Sequence, residues 1–392
     1  MSWEVTNSWQ DVETELSTNR IALADLRVVL QSRGFDNKLD YATGSEMLLP
    51  HLRPTRNLSR WYVASVQLSL RQGNNAEALM DMLASLRLTR VPENDRLVVC
   101  ELTRIQIANQ NAAVCWEALQ SDNWTDGQLA EIQSGWLHTS FLTNMILALK
   151  MKRAIYRSDF KRFLNSAGSG SAVGALMFHV TPPWVEMMPD GIEVAFTQRI
   201  APAFWRFAWL KQDEKNLLEA VEALIQTCQS AATNQSKLQV SPLLDQFSEK
   251  YLPQECRSTI FPVSELILSG IFAPIGAVFR AETQRSLVLC AIALKRHSLR
   301  HGKLPTTLDA LVPEFLSSVP VDFMDGKPVK YRLGSDGSFT LYSIGEDGMD
   351  DGGDIFPVAT YSWRDLWKRR DYVWSAPATS AEIEVARKEK RF

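Results

Sequence analysis

Apolar residues recur at helical spacing along most of the chain up to His301. Beyond it the pattern gives way to short runs broken by Gly302, Pro305, Pro313, Pro320, Gly326, Gly334, Gly337 and Gly345. A stripe at helical period needs a partner surface for one face of a helix, whereas short runs between glycines and prolines suit strands and turns. The expected fold class is therefore α+β. A mostly α-helical N-terminal body of helical hairpins fills residues 1–270, with a loop-rich break near 165–190. A small module of a helix plus antiparallel β-sheet fills 271–360. A charged tail holding Trp363, Trp367 and Trp374 fills 361–392 and is expected to pack its tryptophans back on the body.

Within the body, Val12, Leu16, Ile21, Leu23, Leu26, Val29 and Leu30 predict a helix over 8–35 that Gly34 ends, and Pro50 and Pro54 keep 36–58 irregular. Trp61, Val63, Val66, Leu68 and Leu70 form one stripe; Ala76, Leu79, Leu83, Leu86 and Leu88 form a second across the turn Arg71-Gln72-Gly73-Asn74-Asn75. That is a helical hairpin of tetratricopeptide type without its 34-residue repeat, in which the small Ala78 lets the two helices approach closely. Further helices are expected over 96–110, 112–120, 126–136 (capped by Asp126), 138–164, 192–232 and 275–300. The charged face Lys150, Lys152, Arg153, Arg157, Lys161 and Arg162 reads as solvated. Residues 329–333 and 339–343 read as strands joined by the turn Gly334-Ser335-Asp336-Gly337.

Charge and cysteine usage remove several classes of function. Of 392 residues, 42 are basic and 45 acidic, a net charge of −3 that does not suit a nucleic-acid binder, whose basic excess must neutralise phosphates. Cys100, Cys115, Cys228, Cys256 and Cys290 are widely spaced with no Cys-x-x-Cys pair, so they read as buried apolar residues and not as a zinc cluster. Met1-Ser2-Trp3-Glu4-Val5 lacks the basic start of a signal peptide, and the apolar stretch 260–279 is interrupted by Pro262, Glu265 and Pro274, so the chain as written is expected to be soluble. The Gly/Ser-rich segment 166–174 lacks the Lys-Ser/Thr ending of a phosphate loop.

Glu346, Asp347, Asp350, Asp351 and Asp354 fall within nine residues, among Gly345, Gly348, Gly352 and Gly353. Carboxylates at this density repel one another unless they are solvated, protonated or bridged by a hard cation that takes six to eight oxygens. The spacing is not that of an EF-hand. A solvated acidic turn and a cation site both fit the residues.

The order of motifs at 280–355 resembles the globular part of the major pseudopilins of type II secretion. A helix from Ala281 to Arg300 leads into His301-Gly302-Lys303-Leu304-Pro305. Val319-Pro320-Val321-Asp322, Asp325-Gly326-Lys327-Pro328 with Tyr331, and Ser343-Ile344-Gly345-Glu346-Asp347-Gly348 follow, and then the acidic end. The whole chain also resembles a group of bacterial proteins common in planctomycetes and verrucomicrobia that carry a helical region before this module. The 61–88 hairpin, Asp371-Tyr372-Val373-Trp374 and Pro377-Ala378 are the other residues that match. The resemblance implies a structural Ca²⁺ in the acidic loop, with Ser343, Asp347 and either Asp351 or Asp354 as ligands beside the neighbouring Asp350. It also implies an exported, periplasmic or cell-surface protein whose membrane anchor lies outside this chain. The chain departs from a pilin in having its helix start near Phe279 and no N-terminal apolar helix with glutamate at its fifth position.

Three functional readings follow. The first is a non-enzymatic platform for protein partners with a calcium-stabilised, secretion-related module. The second is a protein–protein adaptor that uses the hairpin region 58–165 and no ion. The third is an enzyme whose site is assembled from distant residues around His138, His179 and Glu186. His297 and His301, four apart with no Glu after His297, read as a pair at a helix end; Glu265, Glu282 and Arg285 read as interior ion pairs.

Overall fold

The structure is a computed structural model that describes residues 9–32, 34–121, 123–165, 205, 207–252, 262–335, 337–354, 365–368 and 370–374. The expectations for 166–174, for the helix over 192–204, and for Cys256, His179, Glu186 and Trp363 lie outside the described residues. Among the described residues, nine α-helices precede a three-stranded antiparallel sheet. This is the α+β class read from the sequence.

Helix α1 (Trp9–Val29) stops five residues before Gly34, because Gln31 N and Ser32 N turn back on Val28 O and Val29 O. The hairpin follows as α2 (Leu52–Arg71) and α3 (Asn75–Leu88). Helix α2 begins earlier than expected and contains Pro54 in its first turn. A proline there removes only an N–H that would have no partner within the helix. Asn74 caps α3 by accepting Glu77 N at 3.2 Å, and Ala78 is fully buried between the helices.

The expected break at residue 111 does not occur. Helix α4 runs unbroken over Val98–Leu119, with Asn111 Nδ2 folded back to donate to Ile107 O at 2.8 Å within the helix. Helix α5 (Asp126–Leu137) is capped by Thr125, not by Asp126: Thr125 and Gln128 exchange side-chain and backbone bonds in a capping box. That leaves the Asp126 carboxylate for Arg296 and Arg300 of a distant helix. Helix α6 (Leu142–Asn165) packs against α7 (Leu210–Asn234), and α8 (Ser241–Tyr251) follows. Part of the charged α6 face packs against α7, where Arg153 pairs with Glu222.

The 40-residue helix α9 (Pro262–His301) crosses residue 270 without a break and packs on α4, α5 and α7. Gly302, at φ 69°, ends it with Gly302 N bonded to Ser298 O. Strands β1 (Lys330–Leu333) and β2 (Phe339–Ser343) pair from Lys330↔Tyr342 to Leu333↔Phe339. A third strand, β3 (Tyr372–Trp374), pairs with β2 at Leu341↔Trp374 and Ser343↔Tyr372. Three residues are too few for an alternating pattern, which is why the sequence suggests only tail there. Two of the tail tryptophans do pack back: Trp367 is buried and stacks on Tyr372 with ring centroids 4.0 Å apart, and Trp374 is buried.

Two buried acids join the layers. Glu282 of α9 accepts Phe141 N at 2.8 Å and Leu142 N at 3.0 Å, so it caps the start of α6, and it pairs with Arg285. Asp322 accepts Met324 N and Ile344 N and receives Thr283 Oγ1 from α9, tying that helix to the end of β2. Body and module also share backbone bonds, Lys237 N to Phe323 O and Leu238 N to Met324 O, and one apolar core spans both.

Candidate functional site

The acidic loop leaves the sheet at Ser343, the last residue of β2. Ser343 is buried and its hydroxyl accepts Gly345 N at 3.2 Å. The other loop acids lie toward the surface. Asp347 accepts Met349 N, closing a turn of its own, and Asp350 accepts Gly352 N and the Tyr342 hydroxyl. Asp351 is exposed. Asp354 pairs with Arg370 at 2.8 Å, and Glu346 pairs with Arg280 at 2.8 Å. The loop also closes around an acid not singled out from the sequence. Asp371 is buried at the foot of β3, and its Oδ2 accepts Gly353 N at 2.7 Å and Asp354 N at 3.1 Å. Burial raises its pKa from the ordinary value, against backbone N–H groups of Gly353, Asp354 and Asp351 that favour the charged form. Gly353 is required here by geometry: at φ 86°, a Cβ would stand 2.9 Å from Thr340 Cγ2.

The hairpin region carries a cleft. Helices α3 and α5 and the segment after α3 enclose a volume of about 680 Å³, with Leu83, Leu86 and Gly135 on its apolar side and Arg87, Arg90, Glu93, Glu131 and His138 among its polar lining. Gly135 lets the helices close up, because a Cβ there would meet Leu86 Cδ1 at 3.0 Å. Glu93 pairs with the buried Arg104, which also holds Glu101. His138 ends α5 with Nδ1 2.7 Å from Ser134 O. His297 and His301 do share a face, with ring centroids 4.5 Å apart over Phe315. Their ring nitrogens face Lys303 O and Glu314.

A second cluster was not legible in the sequence. His51 precedes the first turn of α2, Asp95 closes the short 3₁₀ turn Glu93–Asp95, and Cys100 lies in the first turn of α4. One donor atom of each lies within 4.8 Å of the others. Asp95 Oδ2 is 2.8 Å from His51 Nε2 and 3.4 Å from Cys100 Sγ. Burial pushes the Cys100 thiol far up from its ordinary value, which leaves it a poor nucleophile at neutral pH. Only the five-residue spacing of Asp95 and Cys100 is local; His51 arrives from the other side of the α2–α3 hairpin, and no periodicity reports that approach.

Comparison with protein-family models, with curated proteins and with solved structures returns no match. Among the described residues, no helix is long and apolar enough to cross a membrane.

Proposed function

We propose that the chain is a protein-interaction platform whose α3–α5 cleft takes an extended peptide carrying an acidic side chain next to an apolar one. The observation that carries this reading is the cleft itself, whose lining places the half-buried Leu83 beside Arg87. Glu93 at the rim is already paired with the buried Arg104, which leaves Arg87 as the cation facing an incoming acid on the α3 side. Arginine offers paired donors in the geometry of a carboxylate, and Leu83 supplies area for a neighbouring apolar side chain. Panning a random displayed peptide library on the full-length protein tests it. Enriched peptides with an acidic residue beside an apolar one, lost with the double variant R87E/R90E, are expected. No enrichment, or enrichment indifferent to that variant and to L83D, refutes it.

The pseudopilin-like reading of the C-terminal module, and the exported location it implies, belongs to the same proposal. It is supported by a helix running into His301-Gly302 and an antiparallel hairpin ending at the acidic loop. The calcium reading of that loop is favoured by the nearness of Asp350 to the buried carboxylate of Asp371, whose charge it opposes. A bound Ca²⁺ raises the melting temperature of the protein over an EDTA-treated sample, and the rise disappears in D347N/D350N. Identical melting curves with Ca²⁺ and with EDTA refute it.

A further inference from the structure

We propose that His51, Asp95 and Cys100 form a binding site for a zinc-class divalent transition-metal ion. Three unlike donors meet here from three places in the chain: an imidazole before α2, a carboxylate between α3 and α4, and a thiol at the start of α4. The imidazole is the telling member. Both ring nitrogens of His51 are buried and neither makes a hydrogen bond. Nε2 approaches Asp95 Oδ2 to 2.8 Å, but the ring does not aim an N–H at that oxygen. Buried polar atoms are nearly always partnered, and an orphan imidazole beside a carboxylate and a thiol calls for a group that accepts lone pairs.

The surroundings suit such an ion. Asn37 Nδ2 donates to Asp95 Oδ1 at 2.9 Å and to Oδ2 at 3.1 Å, holding the carboxylate from outside as metal ligands commonly are, and the Tyr41 hydroxyl fixes the backbone by donating to Asp95 O at 3.0 Å. Around them lie Leu52, Leu97 and Ile155, with Leu39, Leu49 and Met151 against them. A divalent ion on one carboxylate, one thiolate and a neutral imidazole is a neutral unit, which an apolar shell tolerates. Burial alone keeps Cys100 a thiol; a divalent ion bound beside Asp95 would displace that proton to solvent and hold the thiolate. The donor set selects the metal: the thiolate disfavours Ca²⁺ and Mg²⁺, and the mixture of N, O and S is that of a borderline ion such as Zn²⁺.

Size is compatible. Tetrahedral bonds of about 2.0 Å to N and O and about 2.3 Å to S give donor–donor edges of roughly 3.3–3.7 Å. The 3.4 Å Cys100–Asp95 edge already fits, and the 2.8 Å His51–Asp95 edge has to open by about 0.5 Å, within reach of a side-chain rotation. Three protein donors leave a fourth position to a solvent molecule. In this arrangement the ion clamps the segment before α2 to the start of α4.

Titration of the metal-free, full-length protein with Co²⁺ decides the matter. The expected result is a thiolate-to-cobalt charge-transfer absorption that saturates at one equivalent and is displaced by Zn²⁺. It should vanish in Cys100→Ser and persist in Cys115→Ser. Asn37→Ala should weaken binding by about 10–100-fold. His51→Ala, whose side chain makes no capping bond, checks the site without disturbing a helix cap and should abolish saturation at one equivalent. No charge-transfer band with the wild-type protein, or a band that survives Cys100→Ser, overturns the proposal and leaves an imidazolium–carboxylate pair in its place.

Discussion

Glu282 is the residue whose loss the architecture should feel most sharply. It lies on α9, is buried, and accepts two backbone N–H groups at the start of α6 while pairing with Arg285. Removing the carboxylate in Glu282→Ala leaves two donors of a helix N-terminus and one guanidinium without their acceptor, at a cost of about 3–5 kcal/mol. Glu282→Gln keeps an oxygen where Oε1 stands, so both N–H bonds survive. It loses the charge facing the helix dipole and Arg285, together about 1–2 kcal/mol. Urea unfolding followed by far-ultraviolet dichroism and by tryptophan fluorescence reads both numbers, with coincident curves required before free energies are assigned. A cost for the alanine variant below about 1 kcal/mol, or equal costs for the two variants, would show that α6 and α9 are not held together by this cap.

Two further perturbations read the polar interior. Burial pushes Glu101 from its ordinary 4.5 up to about 7 despite Arg104, so the folded chain binds a proton that the unfolded chain has released. The stability it contributes is present in full below pH 4.5 and is lost as pH rises towards 7. Wild-type stability relative to Glu101→Gln should therefore fall between pH 5 and pH 7.5, and a flat difference contradicts the burial argument. Gly353→Ala places a Cβ at a positive φ and against Thr340, and should cost about 1–3 kcal/mol by thermal or urea unfolding; a neutral outcome would mean that the loop relaxes freely.

Local pattern predicted what local pattern controls. The α2–α3 hairpin, its Asn74-containing turn, the buried Ala78 and the β1–β2 pair are each specified within about 30 residues by stripe, breaker and turn chemistry. Local pattern misleads where a polar residue has two uses. The sequence suggests two helices over 96–110 and 112–120, but Asn111 between them folds its Nδ2 onto the helix backbone and the helix continues. Asp126 looks like a cap, but Thr125 takes that role and the aspartate reaches Arg296 and Arg300. The acids of the 346–354 loop stand out because they are adjacent in sequence, while Asp371, which anchors the loop backbone, lies outside that run. His51, Asp95 and Cys100 meet only through the packing of α2 and α4, and three isolated residues of common type carry no signal along the chain.

The two proposed sites share a short stretch of backbone, and that has a measurable consequence. Thr89, Arg90 and Glu93 line the cleft, and Glu93 and Asp95 belong to one 3₁₀ turn. A metal on Asp95 Oδ2 fixes that turn, and with it the position of Glu93 opposite Arg104 at the rim of the cleft. Coupling between sites is reciprocal, so the metal should change peptide affinity by the same factor by which the peptide changes metal affinity, typically about 5-fold or more for such linkage. Isothermal titration of a selected peptide into metal-free and Zn²⁺-loaded protein measures the first factor, and Co²⁺ titration with and without peptide measures the second. Equal affinities in both forms would mean that residues 89–95 hold their shape without the ion, and the two sites would then have to be treated as independent.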